Sequence, residues 1–175
     1  MALSIREASN TDIPGVVDVI RAVFDEYEFT WEEDGYHADL YDLEAHYTAE
    51  GHSFFVAEID GAIIGTVAIE RFEQLPGAPG ELSLIDGFIR IHGCDCSLNR
   101  LYVHPTARRC GAGFALVEKV VAIAKSENRQ AMELWSDKRF ADAHRLYERF
   151  GAKVVGNRIC HDPDESPEWG LKISL

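Results

Sequence analysis

Apolar and polar residues alternate from Leu3 to Ala8, and this period of two predicts a first strand. The period then changes to that of a helix. Val16, Val17, Ile20, Val23 and Phe24 fall on one stripe, which Asn10 or Thr11 is placed to cap and in whose first turn Pro14 is tolerated. After a loop carrying Tyr27, Phe29 and Trp31 among carboxylates, Leu40, Leu43 and Tyr47 predict a second helix from about Tyr36 until Gly51. Two apolar runs, 53–59 and 62–69, flank Asp60-Gly61, a pair that tolerates positive φ at both centres of a tight hairpin. Proline and glycine mark a loop from Phe72 to Gly80, and Asp86-Gly87 sits between two short apolar runs as a further hairpin turn. A strand from Asp95 to His104 ends at Pro105, and Leu116, Val117, Val120, Val121 and Ala124 then recur at helical spacing. A strand and a second helix follow up to Gly151, and Val154–Gly156 and Trp169–Ile173 read as closing strands.

Composition adds bounds. With 175 residues and 46% hydrophobic content the chain can bury a proper core, and the simplest division is one domain over 1–175 with 72–93 as a hairpin insertion. That insertion would either cover a site or make a dimer contact. No run of eighteen apolar residues and no basic-then-apolar leader occurs, which predicts no membrane partner and a cytoplasmic location. The four cysteines lack the spacing of a disulfide framework. Net charge is −13, and the stretch from Ala22 to Glu70 holds thirteen Asp and Glu with no Lys or Arg. Such a field repels nucleic acid and suits either solubility alone or a mouth that gathers a cationic amine.

The chemistry concentrates at Arg108-Arg109-Cys110-Gly111-Ala112-Gly113, between the strand ending at Pro105 and the helix after it. Glycine lets a ligand approach the backbone, and a helix N-terminus adds free N–H groups and positive partial charge. That combination is an anion site, best suited to phosphate. A nucleotide P-loop is a poor match, because Phe114-Ala115 follows Gly113 where Lys-Ser/Thr is required.

Arg108-x-x-Gly111-x-Gly113 resembles the acetyl-CoA pyrophosphate loop of the GNAT acetyltransferase superfamily. A second block, Ala143-His144-Arg145-Leu146-Tyr147-Glu148-Arg149-Phe150-Gly151, resembles the family's later helix apart from the final aromatic. The resemblance implies a mixed α/β fold, with a mostly antiparallel central sheet flanked by helices and splayed at the cofactor site. It implies an acetyl-CoA-dependent N-acetyltransferase that acts on a small-molecule or peptide amine by direct transfer in a ternary complex, as a homodimer in the family's habit.

By the same resemblance Arg108, Arg109, Cys110, Gly111, Ala112, Gly113 and Phe114 would cradle the pyrophosphate. Backbone groups of Leu101, Tyr102 and Val103 would hold the acetyl carbonyl and pantetheine, beside a bulge. Tyr147 falls where the family places the acid that protonates the departing sulfur. Ser97 falls where many members carry a glutamate, so a water relay through Ser97 and a carboxylate such as Glu70 or Asp95 would remove the proton, unless the amine arrives deprotonated. Phe140 replaces a cofactor-binding asparagine, which shifts that contact to Arg145 or to backbone. The first two helices would form one wall of the acceptor pocket, with Tyr27, Phe29, Trp31 and Glu70 as substrate contacts. The departures at Ser97 and Phe140 also admit a catalytically silent acyl-CoA-binding module. Cys94-x-Cys96 with His92 and Asp95 lacks a second ligand pair, so no metal is expected. Cys96 would point away from Ser97 by strand alternation, and His104 and His144 read as supporting groups.

Overall fold

The structure is a computed structural model that describes residues 2–175. Among the described residues nine strands form: β1 (Leu3–Glu7), β2 (Ser53–Ile59), β3 (Ala62–Arg71), β4 (Leu82–Ile85), β5 (Phe88–Ile91), β6 (Cys96–Val103), β7 (Ala131–Asp137), β8 (Lys153–Ile159) and β9 (Pro167–Ser174). Three α-helices join them: α1 (Ile13–Glu26), α2 (Ala112–Ser126) and α3 (Ala141–Glu148). The main sheet has the order β1-β2-β3-β6-β7-β9-β8, and β4-β5 is a separate hairpin. Every pairing is antiparallel except β6 with β7. This is the mixed, mostly antiparallel, helix-flanked sheet that the resemblance implies. None of the described helices is long and apolar enough to cross a membrane.

Strand alternation divides the sheet into two faces. Phe55, Ala57, Val67, Ile69, Cys96 and Leu98 pack with Leu116, Val117 and Val120 of α2 on one face. Phe54, Val56 and Ala68 pack with Val16, Ile20 and Phe24 of α1 on the other. The β4-β5 hairpin covers part of the sheet as well, through a small cluster of Ile91, Cys94 and Ala131 with Leu82, Trp135 and Val155 around it. Gly156 makes room for that docking: a Cβ there would stand 2.2 Å from Leu82 Cδ1.

Two local expectations are corrected. The segment expected to be one helix from Tyr36 is instead a 3-10 turn at Ala38–Tyr41 followed by a π turn at Glu44–Thr48. Asp42 separates them because its carboxylate accepts the Ala45 N–H and the Asn10 amide, so a side chain replaces the helical ladder there. Leu40, Leu43 and Tyr47 are buried all the same. Asn10 is therefore occupied elsewhere than in capping, and α1 begins only at Ile13, after a turn in which Asp12 accepts the Ser9 N–H at 2.9 Å. Both Asp-Gly turns are left-handed at both residues, with φ of 52° and 80° at Asp60-Gly61 and 49° and 86° at Asp86-Gly87.

Candidate active site

The pairing of β6 with β7 is short. Cys96, Ser97 and Leu98 face Met132, Glu133 and Leu134, and beyond Leu98 the two strands part. A bulge in β6 contributes to the divergence: Ala68 faces Asn99 while Thr66 faces Tyr102, so Arg100 and Leu101 together oppose Val67. Arg100 takes a φ of +53°, and Thr66 Oγ1 donates to its carbonyl at 2.7 Å. From Asn99 to Val103 the β7-facing edge of β6 therefore has no strand to pair with. Unpaired N–H and C=O groups along such an edge can receive an extended ligand as a further strand would be received.

The glycine turn lies beyond the end of this strand. Gly111 has φ +89°, α2 starts at Ala112, and a Cβ at Gly111 would meet nothing within 4 Å. The first amide of the helix with a backbone partner is Ala115, on the Gly111 carbonyl at 3.0 Å. Among the described residues the amides from Arg109 to Phe114 have no backbone acceptor, as expected of a helix start. Gly113 has a different task, for a Cβ there would sit 3.3 Å from Leu146 and 3.7 Å from Val103, where α2, α3 and β6 meet. Arg108 does not face this opening alone: its guanidinium donates from Nη1 to Glu26 of α1 at 2.8 Å. Arg109 and Cys110 are exposed.

On the α1 face the parting strands floor a cleft of about 630 Å³. Glu70, Ser97 and Glu133 lie side by side on β3, β6 and β7, and all three line it. Ser97 Oγ accepts from the Asn99 amide at 3.0 Å. Glu70 has no hydrogen-bond or ion-pair partner among the described residues. Asp95, the other carboxylate considered for a relay, is turned away, since it accepts the Gln130 N–H at 2.9 Å. Tyr147 belongs to the core on the α2 face yet also lines the cleft, which puts its ring at the opening between the strands. It is buried, and burial raises its hydroxyl pKa well above the ordinary value. Tyr102, lining the same cleft, is pushed by burial up to about 12.

The walls come from distant parts of the chain. Arg100 crosses to Asp39 with Nη2 at 2.6 Å and Nε at 3.0 Å, donates to the Tyr36 carbonyl at 2.7 Å, and Tyr47 also donates to Asp39. Phe29 lines the cleft, and Phe140 packs edge-on against Tyr27 at 4.9 Å. Tyr27 itself lies behind Phe29. Trp31 is drawn into the wall's packing, stacked on His37 at 3.8 Å and edge-on to Phe24. Arg145 is turned to solvent, 2.8 Å from Asp142 on its own helix. Of the thirteen acids between Ala22 and Glu70, Asp39 and Glu70 line the cleft. Opposite, the β4-β5 hairpin supplies Leu84, Phe88, Ile89 and Arg90, and the loop before β9 meets the loop after α1 where Thr30 donates to Asp164 at 2.7 Å.

Sequence reasoning missed the four charged pairs that shape this cleft: Arg100 with Asp39, Arg90 with Glu133, Arg158 with Glu168 and Arg139 with Asp137. A signal existed in Glu133, a carboxylate inside the apolar run of β7 that requires a cation once buried. Cys94 and Cys96 are buried, with burial pushing both thiols up to about 12, and His92 bonds Ser83 instead of joining them.

The family model described as acetyltransferase (GNAT) family matches residues 17–152. An N-acetylaspartate synthetase of Danio rerio is 30% identical over 121 residues, which make up 69% of this chain and 36% of that protein, so the chain spans only about a third of this relative. Among solved structures, an acetyltransferase of the GNAT family from Staphylococcus aureus superposes with a TM-score of 0.75 at 19% identity, covering 99% of each chain. A phosphinothricin acetyltransferase of Sinorhizobium meliloti, solved in complex with acetyl-CoA, reaches a TM-score of 0.70 at 17% identity over 100% of this chain and 89% of its own. With the family model spanning most of the sequence and the fold matched from end to end, the chain belongs to the GNAT acetyltransferase family, N-acetyltransferases whose co-substrate is acetyl-CoA.

Proposed function

We propose that this chain acetylates a primary amine, cationic in water, by direct transfer within a ternary complex. The observation that carries this reading is one cleft lined both by an unpaired carboxylate, Glu70 on β3, and by a buried tyrosine, Tyr147, beside the parting of β6 and β7. Bound acetyl-CoA supplies an acetyl group already activated as a thioester. The residues present fit that group. The free edge of β6 at Leu101, Tyr102 and Val103 suits its extended arm, and the unengaged amides from Arg109 to Phe114, with open space at Gly111, suit its phosphates.

Glu70 then has the work of a base. An ammonium must lose its proton before nitrogen can attack, and Glu70 stands beside Ser97 on adjacent strands, so its carboxylate can receive that proton directly or through a water held at Ser97 Oγ. Tyr147 has the complementary task. Its raised pKa keeps Oη protonated at neutral pH, so it remains a hydrogen-bond donor toward negative charge developing at a departing sulfur. Phe29, Phe140 and Tyr102 pack on one another as an aromatic wall of the same cleft. The Danio rerio relative is named for an N-acetylated product, which agrees with nitrogen as the acceptor atom.

The test is thiol release from acetyl-CoA against a panel of amines. Glu70→Gln should lower turnover by about 10² to 10³ with acetyl-CoA binding unchanged, with partial recovery at high pH, and Tyr147→Phe should lower it by about 10². Acetyl-CoA binding with no thiol release for any amine would instead identify a silent acyl-CoA-binding module. Unchanged turnover in both variants would remove these residues from the mechanism.

A further inference from the structure

Besides the base and the acid, the cleft holds a feature that acetyl transfer alone does not call for. Three guanidinium groups line it, Arg90 from β5, Arg100 from β6 and Arg158 from β8. Each is oriented through Nε by a carboxylate, Glu133, Asp39 and Glu168 respectively. The pairs neutralise those acids and leave nitrogen donors over. Among the described residues neither Nη of Arg90 and not Nη2 of Arg158 has a hydrogen-bond partner. Nη1 of Arg100 is also without one, but it is sealed from solvent.

Arg90 and Arg158 are neighbours, because Arg158 Nη1 donates at 3.0 Å to the carbonyl of Ile89. Both planes are held on aromatic rings, Arg90 at 4.6 Å over Phe72 and Arg158 at 4.2 Å over Trp135. Their position relative to Glu70 follows from the sheet. Glu70, Ser97 and Glu133 occupy one row across three adjacent strands, so Arg90, anchored on Glu133, stands about two strand spacings, roughly 10 Å, from the proposed base. The reach of both side chains shortens this to the span of a small molecule.

We propose that the acceptor carries a carboxylate as well as its amine, and that Arg90, with Arg158 beside it, receives that carboxylate while the ammonium faces Glu70. The substrate class is a small amino-acid-like zwitterion. A polyamine fits poorly, since its second ammonium would meet two guanidinium groups. This inference rests on the acetyl-transfer reading of the same cleft. Arg90 is a specificity-determining residue supplied by the inserted hairpin, and two fixed Nη donors match the two oxygens of a carboxylate.

The experiment measures the full chain with free amino acids, with the amines made by decarboxylating each of them, and with spermidine. Binding to the CoA-saturated protein is read by calorimetry and turnover by thiol release. In the wild type, at least one amino acid should exceed its decarboxylated counterpart about tenfold or more in both readouts. Arg90→Gln should remove that preference, with the loss on amino acids falling on Kd and KM and exceeding any loss on the amines, and Arg90→Lys should restore part of it. Decarboxylated amines or spermidine equalling or outperforming the amino acids in the wild type would overturn the proposal, whether or not the variant folds. So would an equal loss on amino acids and amines in Arg90→Gln, or no binding of any amino acid. A protein that binds amino acids in the calorimeter but never releases thiol would retain the carboxylate seat and lose the acetyl-transfer reading.

Discussion

The two sides of the cleft are made of different material. On the side of β6 and the glycine turn, the candidate contacts are backbone groups: a strand edge left open after Leu98 and a run of amides before Ala115. They come from one continuous piece of chain. On the other side the contacts are side chains brought from β3, β5, β7 and β8 and from the 36–48 wall, and the charged ones apart from Glu70 and Asp137 are held by partners far away in sequence or on a neighbouring strand, as Arg90 is held by Glu133. The first side depends on where the chain turns and tolerates many side chains. The second depends on individual charges and on the register that aligns them.

The sharpest way to test that difference is to remove one charge from the second side. Glu133 is 2% exposed and accepts from Arg90 Nε, from the Ile91 N–H at 2.9 Å and from Trp135 Nε1 at 3.4 Å. Glu133→Leu removes the acceptor of all three donors at once, leaves the Ile91 amide buried without one and loosens the hairpin on the sheet, where the Ile91 cluster and the Arg158–Ile89 bond still hold it. A loss of about 3 kcal/mol is expected, measured by denaturant unfolding, with amide exchange rising over 82–91 and acetyl-CoA affinity held within about twofold. Loss of acetyl-CoA binding in a folded variant would show that the two sides are not independent.

The same contrast sets how much can be read from sequence. Hairpins at Asp60-Gly61 and Asp86-Gly87, the α1 and α2 stripes and the glycine turn are legible because each depends on a few adjacent residues. The segment after Tyr36 is not, since the apolar positions that suggest a helix are buried by two irregular turns once Asp42 and Asn10 bond across 32 residues. Ser97 and Glu70 can be named as partners from sequence, but only the β3-β6 register distinguishes Glu70 from Asp95. Arg90 gives no local sign of its place. The position of the hairpin over β7 decides it.

His37 offers a milder test within the same wall. It is fully buried, and burial, with the nearby Arg100 cation, lowers its pKa from 6.5 to about 4. The unfolded chain therefore binds the proton more readily between those values. Stability contributed by the neutral ring is complete above about pH 6.5 and is lost as pH falls toward 4. Between pH 7 and pH 5 the loss should be about 2 kcal/mol. His37→Phe, which keeps a ring against Trp31, should flatten that part of the stability curve by up to one proton in slope. An unchanged acid limb would show that His37 does not titrate with unfolding.

The smallest expected effect falls on the backbone side, at the position where a side chain costs conformation and nothing else. Gly111 holds φ +89° with open space around it, so Gly111→Ala meets no neighbour and pays only the penalty of a left-handed residue, about 1 kcal/mol. If the turn relaxes to escape that strain, its amides leave their alignment and acetyl-CoA affinity should fall about fivefold by calorimetry, while amino-acid binding stays as it was. Cys110→Ala, one residue earlier and exposed, changes a side chain without changing the turn, and affinity should stay within about twofold. The reverse ranking, with Cys110→Ala the more harmful, would mean that side chains hold the phosphates after all. The distinction between a backbone-built and a side-chain-built half of the site would then fail at its simplest point.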